Sequence, residues 1–384
     1  MKIGLMTFWW SEDNYGQILQ CYALQKYLRD TGHDAYLIRY DPRKDYIKNP
    51  LTARFLKALN PIKLYNFIRH KLRLYRAAKE QQACPRYFSQ FRNRYLVQSE
   101  KIYTSYNQLK IDPPTADMYI VGSDQVWNFY TSKLQKVINT VHAYFLDFGG
   151  KNIKRVSYAA SWGNFFIEKN FREEIQPLLE RFDYVSVREK SGIGICEDCH
   201  VQADWVPDPV FLLNTEAYRS LYMENSFDKP QKKYLFLYLL ANPCDCSVVD
   251  IKRWAESKGL DVVYVSGNNN IDRHTKIFAS IPQWLYLIDN AEYVITNSFH
   301  CCVVSIMFHK RYAAVPVKGL ISGMNSRLDS LWELLEVSPR LVINNNFAVL
   351  DVEYPEFDRN KILSKIGNFN RILQIPESTV EPIS

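Results

Sequence analysis

Residues 2–40 read KIGLMTFWWSEDNYGQILQCYALQKYLRDTGHDAYLIRY. Lys2 to Phe8 is an apolar run of strand length, and Trp9 to Tyr15 is a polar loop. From Gly16 to Arg29 the apolar positions Ile18, Leu19, Tyr22, Ala23, Tyr27 and Leu28 fall at three- and four-residue spacing, the period of a helix. Gly32 is placed to stop that helix, and Asp34 to Tyr40 supplies a second strand. The stretch is one β-α-β unit, the element from which parallel sheets are wound. Ligands of open α/β sheets bind beyond the carboxyl ends of strands, so loops that follow strands are where chemistry is expected.

The same alternation continues along the chain. Strand-like runs fall at Met118–Gly122, Val156–Ala160 and Tyr184–Val187, with a helical stretch over Glu168–Phe182 between the last two. Pro207-Asp208-Pro209 interrupts the pattern, and a second series begins. Tyr234–Leu240 and Val262–Val265 flank a helix at Ser247–Lys258; Tyr293–Thr296 and Tyr312–Val315 flank another at Ser298–Phe308. The expected fold is α/β, with two doubly wound Rossmann-like domains facing a cleft. The domains span 1–212 and 213–350, and 351–384 holds a helix near Asp358–Leu373 and a tail.

Composition narrows the class. Of 384 residues, 47% are hydrophobic and 23% charged, which suits a large core and excludes disordered and fibrous chains. No apolar run approaches the roughly 20 residues of a membrane span. The first ten residues read as a buried strand rather than a signal peptide. Eight cysteines then point to reduced thiols and a cytoplasmic location. The net charge of +7 is concentrated in one place. Residues 43–101 carry 15 Lys/Arg against 3 Asp/Glu, while the remaining 325 residues net −5. Within that segment Arg54, Lys57, Lys63, Arg69 and Lys71 interleave with Phe55, Leu59, Ile62, Phe67 and Leu72, the pattern of a basic amphipathic helix inserted in the first domain. Two readings stand: a helix lying on an anionic membrane surface, or a solvated helix covering part of the core. No nucleic-acid-binding motif accompanies the charge, so nucleic acid is not an expected partner.

Four loops after strands concentrate functional groups. Asn14-Tyr15-Gly16-Gln17 opens the first helix, where free N–H groups attract anions; a simple cap explains the same residues. It is not a Gly-x-Gly-x-x-Gly dinucleotide signature. Gly122-Ser123-Asp124-Gln125-Val126-Trp127 offers hydrogen-bonding groups and one aromatic face, a combination suited to a sugar ring through Ser123, Gln125 and Trp127. Asp124 is placed as a general base for a sugar hydroxyl, or as a helix cap. Arg188 leaves a strand just before a helix, where its fork can grip an anion or pair with Glu189. Ser298 is a plausible N-cap that puts His300 in the first turn of a helix at a strand's end, a position fit for acid–base work. Cys196-Glu197-Asp198-Cys199-His200 imitates a c-type haem attachment site, but without export that chemistry is not expected. Neither is a metal site.

In order along residues 1 to 340, the Asn-x-Gly loop, Gly122–Trp127, Ser186-Val187-Arg188-Glu189, Asp208-Pro209-Val210-Phe211-Leu212-Leu213, Ser298-Phe299-His300 and Asn325-Ser326-Arg327-Leu328 together resemble the polysaccharide pyruvyl transferase family. The resemblance implies a GT-B-like fold whose C-terminal helix crosses back to the first domain. It implies transfer of pyruvate from phosphoenolpyruvate, a co-substrate, to two hydroxyls of a cell-surface polysaccharide precursor, forming a cyclic ketal and releasing phosphate, with no cofactor. By that similarity His300 matches the family's donor-site histidine and Arg188 an arginine of the corresponding strand end; protonating the enol calls for a general acid, for which His300 is the candidate, and Arg188 is a candidate anion ligand. Many members read Arg-Leu-His where this chain has Ser298-Phe299-His300, which leaves Arg327 and Lys318 as candidates for the missing charge, beside Asn14, Gly16 and Ser298. The acceptor would be a lipid-carried sugar, and the basic segment would hold the enzyme at the inner membrane face. A nucleotide-sugar glycosyltransferase of the same architecture and a non-catalytic glycan-binding protein are the alternatives.

Overall fold

The computed structural model describes residues 1–44, 84–129, 134–240, 246–267, 274–317, 323–353 and 358–374, together with 65, 68, 69, 71, 72, 75, 79 and 272. The β-α-β unit forms as the spacing requires. Strand β1 (Lys2–Met6) leads into α1 (Tyr15–Asp30) and β2 (Asp34–Tyr40). The Asn14 side chain caps α1 by accepting from the Gln17 N–H at 3.2 Å, and Gly32 at φ +87° carries the chain out of it. Twelve of the sixteen residues of α1 are buried. A helix so enclosed is packed on more than one side, and α1 is the wall shared by both halves of the molecule.

The first domain continues through α2 (Phe88–Tyr95), β3 (Gln98–Tyr103), α3 (Tyr106–Ile111), β4 (Met118–Val121), α4 (Leu134–Tyr144), β5 (Lys154–Ser157), α5 (Lys169–Leu179), β6 (Ser186–Val187), α6 (Ser191–Asp198) and β7 (Asp204–Trp205). Its five-stranded parallel sheet has the order β3-β2-β1-β4-β5, the doubly wound order. Parallel bridges Val156–Tyr184 and Ala160–Val187 extend it to the β6-β7 pair. One difference from the sequence reading lies here. Residues 88–101, placed in the basic insertion, form α2 and most of β3. β3 reads QSEKIY at the sheet's edge, with only Tyr103 buried, so it lacks the apolar run that marks an inner strand. Most of the basic segment lies outside the described residues; positions 65, 68, 69, 71, 72, 75 and 79 are helical and exposed.

The second domain runs α7 (Thr215–Met223), β8 (Tyr234–Leu239), α8 (Val248–Ser257), β9 (Asp261–Ser266), α9 (Ile281–Asp289), β10 (Tyr293–Thr296), α10 (Phe299–Met307), β11 (Arg311–Ala314) and α11 (Gly323–Leu335). Its parallel sheet has the order β11-β10-β8-β9. The stretch read as one helix near Asp358–Leu373 is two, α12 (Arg359–Ser364) and α13 (Gly367–Ile372). Both pack against the first domain: Ile366, Phe369 and Leu373 join Ile3, Leu5 and Leu24 in one core, and the Tyr27 hydroxyl donates to Asn370 at 2.6 Å. A second core runs across the molecule, from Tyr15, Ile18 and Leu19 of α1 to Trp284 of α9 and Cys301 and Val304 of α10. The Tyr15 ring stacks on Trp284 at 5.1 Å and its hydroxyl donates to the Ala279 carbonyl.

Candidate active site

The carboxyl ends of β1, β4 and β10 bring three of the four loops together where the domains meet, and Arg188 arrives from the end of β6. His300 sits in the first turn of α10, whose cap Ser298 accepts from the Cys301 N–H. The imidazole is 7% exposed and lies against Gly16 of α1. A Cβ at position 16 would stand 2.2 Å from Nδ1 and 2.4 Å from Cγ of that ring, so only glycine allows this approach. On its other side, Nε2 lies 3.4 Å from Asp208 Oδ2, within ion-pair reach but without the alignment of a hydrogen bond.

Asp208 is the centre of the cluster. Its Oδ2 accepts from Ser123 Oγ at 3.0 Å and from Arg188 Nη1 at 3.1 Å, and its Oδ1 accepts from the Val210 N–H at 3.0 Å. Burial alone would raise its pKa; His300 and Arg188 overcome this and hold the carboxyl well below the usual carboxylate range. Arg188 also donates from Nε to Glu189 at 3.2 Å, and its guanidinium lies 4.6 Å from the Phe299 ring centre. Glu189 in turn accepts from Ser161 at 2.6 Å. Both readings of Arg188 therefore meet in one residue: it is ion-paired, yet its Nη2 is buried without a partner.

Arg327 of α11 is a second buried guanidinium, 7% exposed, with Nε unpaired. Burial pushes its pKa down to about 10, and the neighbouring charge of Arg188 adds to the effect. Glu189 and Asp124 offset part of that shift, and the two guanidiniums keep one buried nitrogen each, Nη2 of Arg188 and Nε of Arg327, open to a further acceptor. Asp124 is buried with φ +75°, a conformation that costs a non-glycine residue energy and gathers at functional sites. Its carboxylate accepts from the Gln125 N–H at 2.9 Å and faces Gln17 Nε2 at 3.5 Å.

Other expected site residues fall elsewhere. Trp127 is 1% exposed, stacked on Phe145 at 5.1 Å and packed on Trp162, so its face is closed to a sugar. Ser123 is fully buried and spends its hydroxyl on Asp208 and Arg188. Of that acceptor trio only Gln125 keeps partial exposure. Asn14 and Ser298 use their side chains as helix caps. Lys318 lies outside the described residues. Asp208 and Glu189 were missing from the expected site; Asp208 stands between two prolines, a pattern that reads as a domain junction.

The model of the polysaccharide pyruvyl transferase family matches residues 14–317. The chain belongs to that family. It is therefore a transferase. No curated protein matches the sequence. Among solved structures it is similar to the UDP-GlcNAc 2-epimerase of Methanocaldococcus jannaschii, at 13% identity and a TM-score of 0.48 over 98% of this chain and 100% of that one. It is also similar to the UDP-GlcNAc 2-epimerase of Neisseria meningitidis, at 10% identity and a TM-score of 0.42 over 98% and 93%. The two parallel sheets, joined by a core that runs through α1, form the expected pair of Rossmann-like domains in a GT-B-like arrangement. Among the described residues no helix is long and apolar enough to cross a membrane.

Proposed function

We propose that this transferase moves a pyruvyl group from phosphoenolpyruvate to two hydroxyls of one sugar in a polysaccharide precursor, forming a cyclic ketal. The observation that carries the reading is the pair of buried, incompletely partnered guanidiniums, Arg188 and Arg327, beside an imidazole at the domain junction. Phosphoenolpyruvate brings a carboxylate and a phosphate, whose oxygens are acceptors for Nη2 of Arg188 and Nε of Arg327, at a strength that desolvation increases.

The chemistry balances on the residues present. His300 donates a proton to the methylene carbon of the enol, which makes the adjacent carbon electrophilic. One sugar hydroxyl adds there, giving its proton to Asp124. Phosphate leaves with the bonding pair, and the second hydroxyl closes the ring and gives its proton to the departing phosphate, while the proton held by Asp124 returns to His300 through solvent. The products are the ketal and inorganic phosphate. Asp208, ionised and fixed by three donors, orients Arg188 and sets its charge 3.4 Å from the His300 ring, and so acts as a positioning residue. The precursor is a lipid-carried sugar, and the basic segment 43–101 keeps the enzyme at the anionic inner face of the plasma membrane. Deleting the part of that segment that precedes α2 should then abolish binding to phosphatidylglycerol vesicles.

The deciding measurement is phosphate release from phosphoenolpyruvate with a panel of nitrophenyl and lipid-linked sugars. Wild type should release phosphate only when an acceptor is present, and His300→Ala should lose at least about a hundredfold in rate, the scale of a lost general acid. Acceptor-independent release, or an unchanged rate in the variant, overturns the reading. Release of a nucleoside diphosphate from a nucleotide sugar would replace it with glycosyl transfer.

A further inference from the structure

With Trp127 enclosed, the acceptor needs another aromatic wall, and the first domain has one. A cavity of about 410 Å³ opens beside the first turn of α1, lined by the run Trp10–Asn14 with Gln17 and Arg43. Its walls are the loops that follow β1 and β2, the edge of the sheet where ligands of this fold class bind. Its size lies within the range of small-molecule sites, about 300–1,000 Å³. A cavity of about 460 Å³ between α5 and β7 is bordered by Tyr184, His200, Asp204 and Asn368 and holds no residue of the His300 cluster.

We propose that the cavity beside α1 is the acceptor subsite and takes one uncharged sugar ring against Trp10. The proposal rests on the pyruvyl-transfer reading and adds the place and chemistry of the second substrate. Charge selects the occupant. The cations beside the cavity are already engaged: Arg92 pairs with Glu12, and the Arg43 guanidinium is held by Asp41 through bonds of 2.7 and 2.9 Å, while Asp13 adds a further carboxylate. A trianionic donor finds the cations here already paired, whereas the hydroxyl groups of a sugar find carboxylate acceptors. Trp10 is half-buried and rests on Phe8 with ring centres 5.1 Å apart. It is held from below, as an apolar face for a pyranose must be.

Gln17 ties the cavity to the reacting groups. Its Oε1 accepts from the Ser11 N–H at 3.1 Å in the cavity wall, while its Nε2 faces the Asp124 carboxylate at 3.5 Å. Gly16, one residue earlier, touches the His300 ring. One turn of helix therefore separates the sugar from the acid, and the base lies at the border between them. The wall residues discriminate between sugars, and Asp124 takes the proton of whichever hydroxyl reaches it.

The test is a split of kinetic constants together with a binding measurement that needs no donor. Trp10→Ala should raise the acceptor KM at least about fivefold and leave the KM for phosphoenolpyruvate unchanged, and Trp10→Phe should restore most of the loss. In saturation-transfer NMR, a 4-nitrophenyl hexoside that binds wild type should lose its signal with Trp10→Ala. An unchanged acceptor KM, a rise confined to the donor KM, or a nitrophenyl sugar that binds Trp10→Ala as well as wild type overturns the assignment. Sugar binding that depends on Trp10 in a protein that never turns over phosphoenolpyruvate would uphold the cavity and sink the reaction instead.

Discussion

Gly16 and His300 make the contact on which the site depends, and they come from different domains. Adding one methyl group at Gly16 places carbon 2.2 Å from the ring nitrogen, so the imidazole or the start of α1 must move. Gly16→Ala should destabilise the protein by about 1–3 kcal/mol, the cost of overpacking, and reduce phosphate release at least about tenfold. A urea titration with a rate assay checks both, and near-wild-type kinetics would mean the ring does not need its place. Arg188 should behave differently. Arg188→Met leaves Asp208 buried beside a single imidazole and Glu189 with one hydroxyl donor, which should cost about 3–5 kcal/mol. That loss appears as a lower urea midpoint even before activity is tested. That His300, Arg188 and Asp124 lie at strand ends was legible because each follows an apolar strand. The Gly16–His300 approach and the hub at Asp208 were not, since both join residues far apart in sequence. Trp127 misled for a related reason: a tryptophan in a polar loop reads the same whether its ring faces the cleft or the core.

Elements are tied to one another by polar knots as well as by apolar packing, and one knot makes a prediction about pH. Asp147 follows α4 and accepts from Tyr106 of α3 at 2.5 Å and from His142 of α4 at 2.8 Å, with Arg181 close by. The other nitrogen of His142 meets Glu174 of α5 at 3.0 Å. The hydrogen bond to Asp147 is the largest cause that raises the His142 pKa above its ordinary 6.5, with Glu174 adding to it. Burial opposes ionisation of Asp147, yet His142, Tyr106 and Arg181 together lower its pKa. The His142 contribution is thus complete below pH 6.5 and fades as pH rises through the higher folded value; that of Asp147 is present above 3.8 and fades as pH falls below it. Thermal melts from pH 5 to 9 should show wild type losing stability on the alkaline side, and His142→Gln should flatten that slope. Parallel slopes would remove the knot from the balance. Elements with apolar runs, such as β1, β4, β8 and β10, were legible within a residue or two. β3 was not, because an edge strand need not be apolar, and the break between α12 and α13 was not, because the helical spacing continues through it.

At the scale of the molecule, the chain closes on itself. The two domains share the core between α1 and α10, and the chain then returns from the second domain to cover the first. Phe369 is fully buried, 4.5 Å from the ring of Tyr158 and 6.2 Å from that of Tyr184. Those two tyrosines lie on the run from β5 to β6 that also delivers Ser161 and Arg188 to the site. The returning helices therefore press on the back of the same strands whose ends hold the chemistry. Phe369→Ala should cost about 3–5 kcal/mol, and because α1 contributes to both cores the loss should lower one shared unfolding midpoint rather than split the transition in two. Circular dichroism and tryptophan fluorescence followed through the same urea titration would read this, since the tryptophans include Trp162 in the first domain and Trp284 and Trp332 in the second. If the two probes separate in Phe369→Ala but coincide in wild type, the returning helices are what makes the halves one cooperative unit. If the midpoint stays where it was, the C-terminal return contributes nothing to holding the cleft, and the packing across α1 does that work alone.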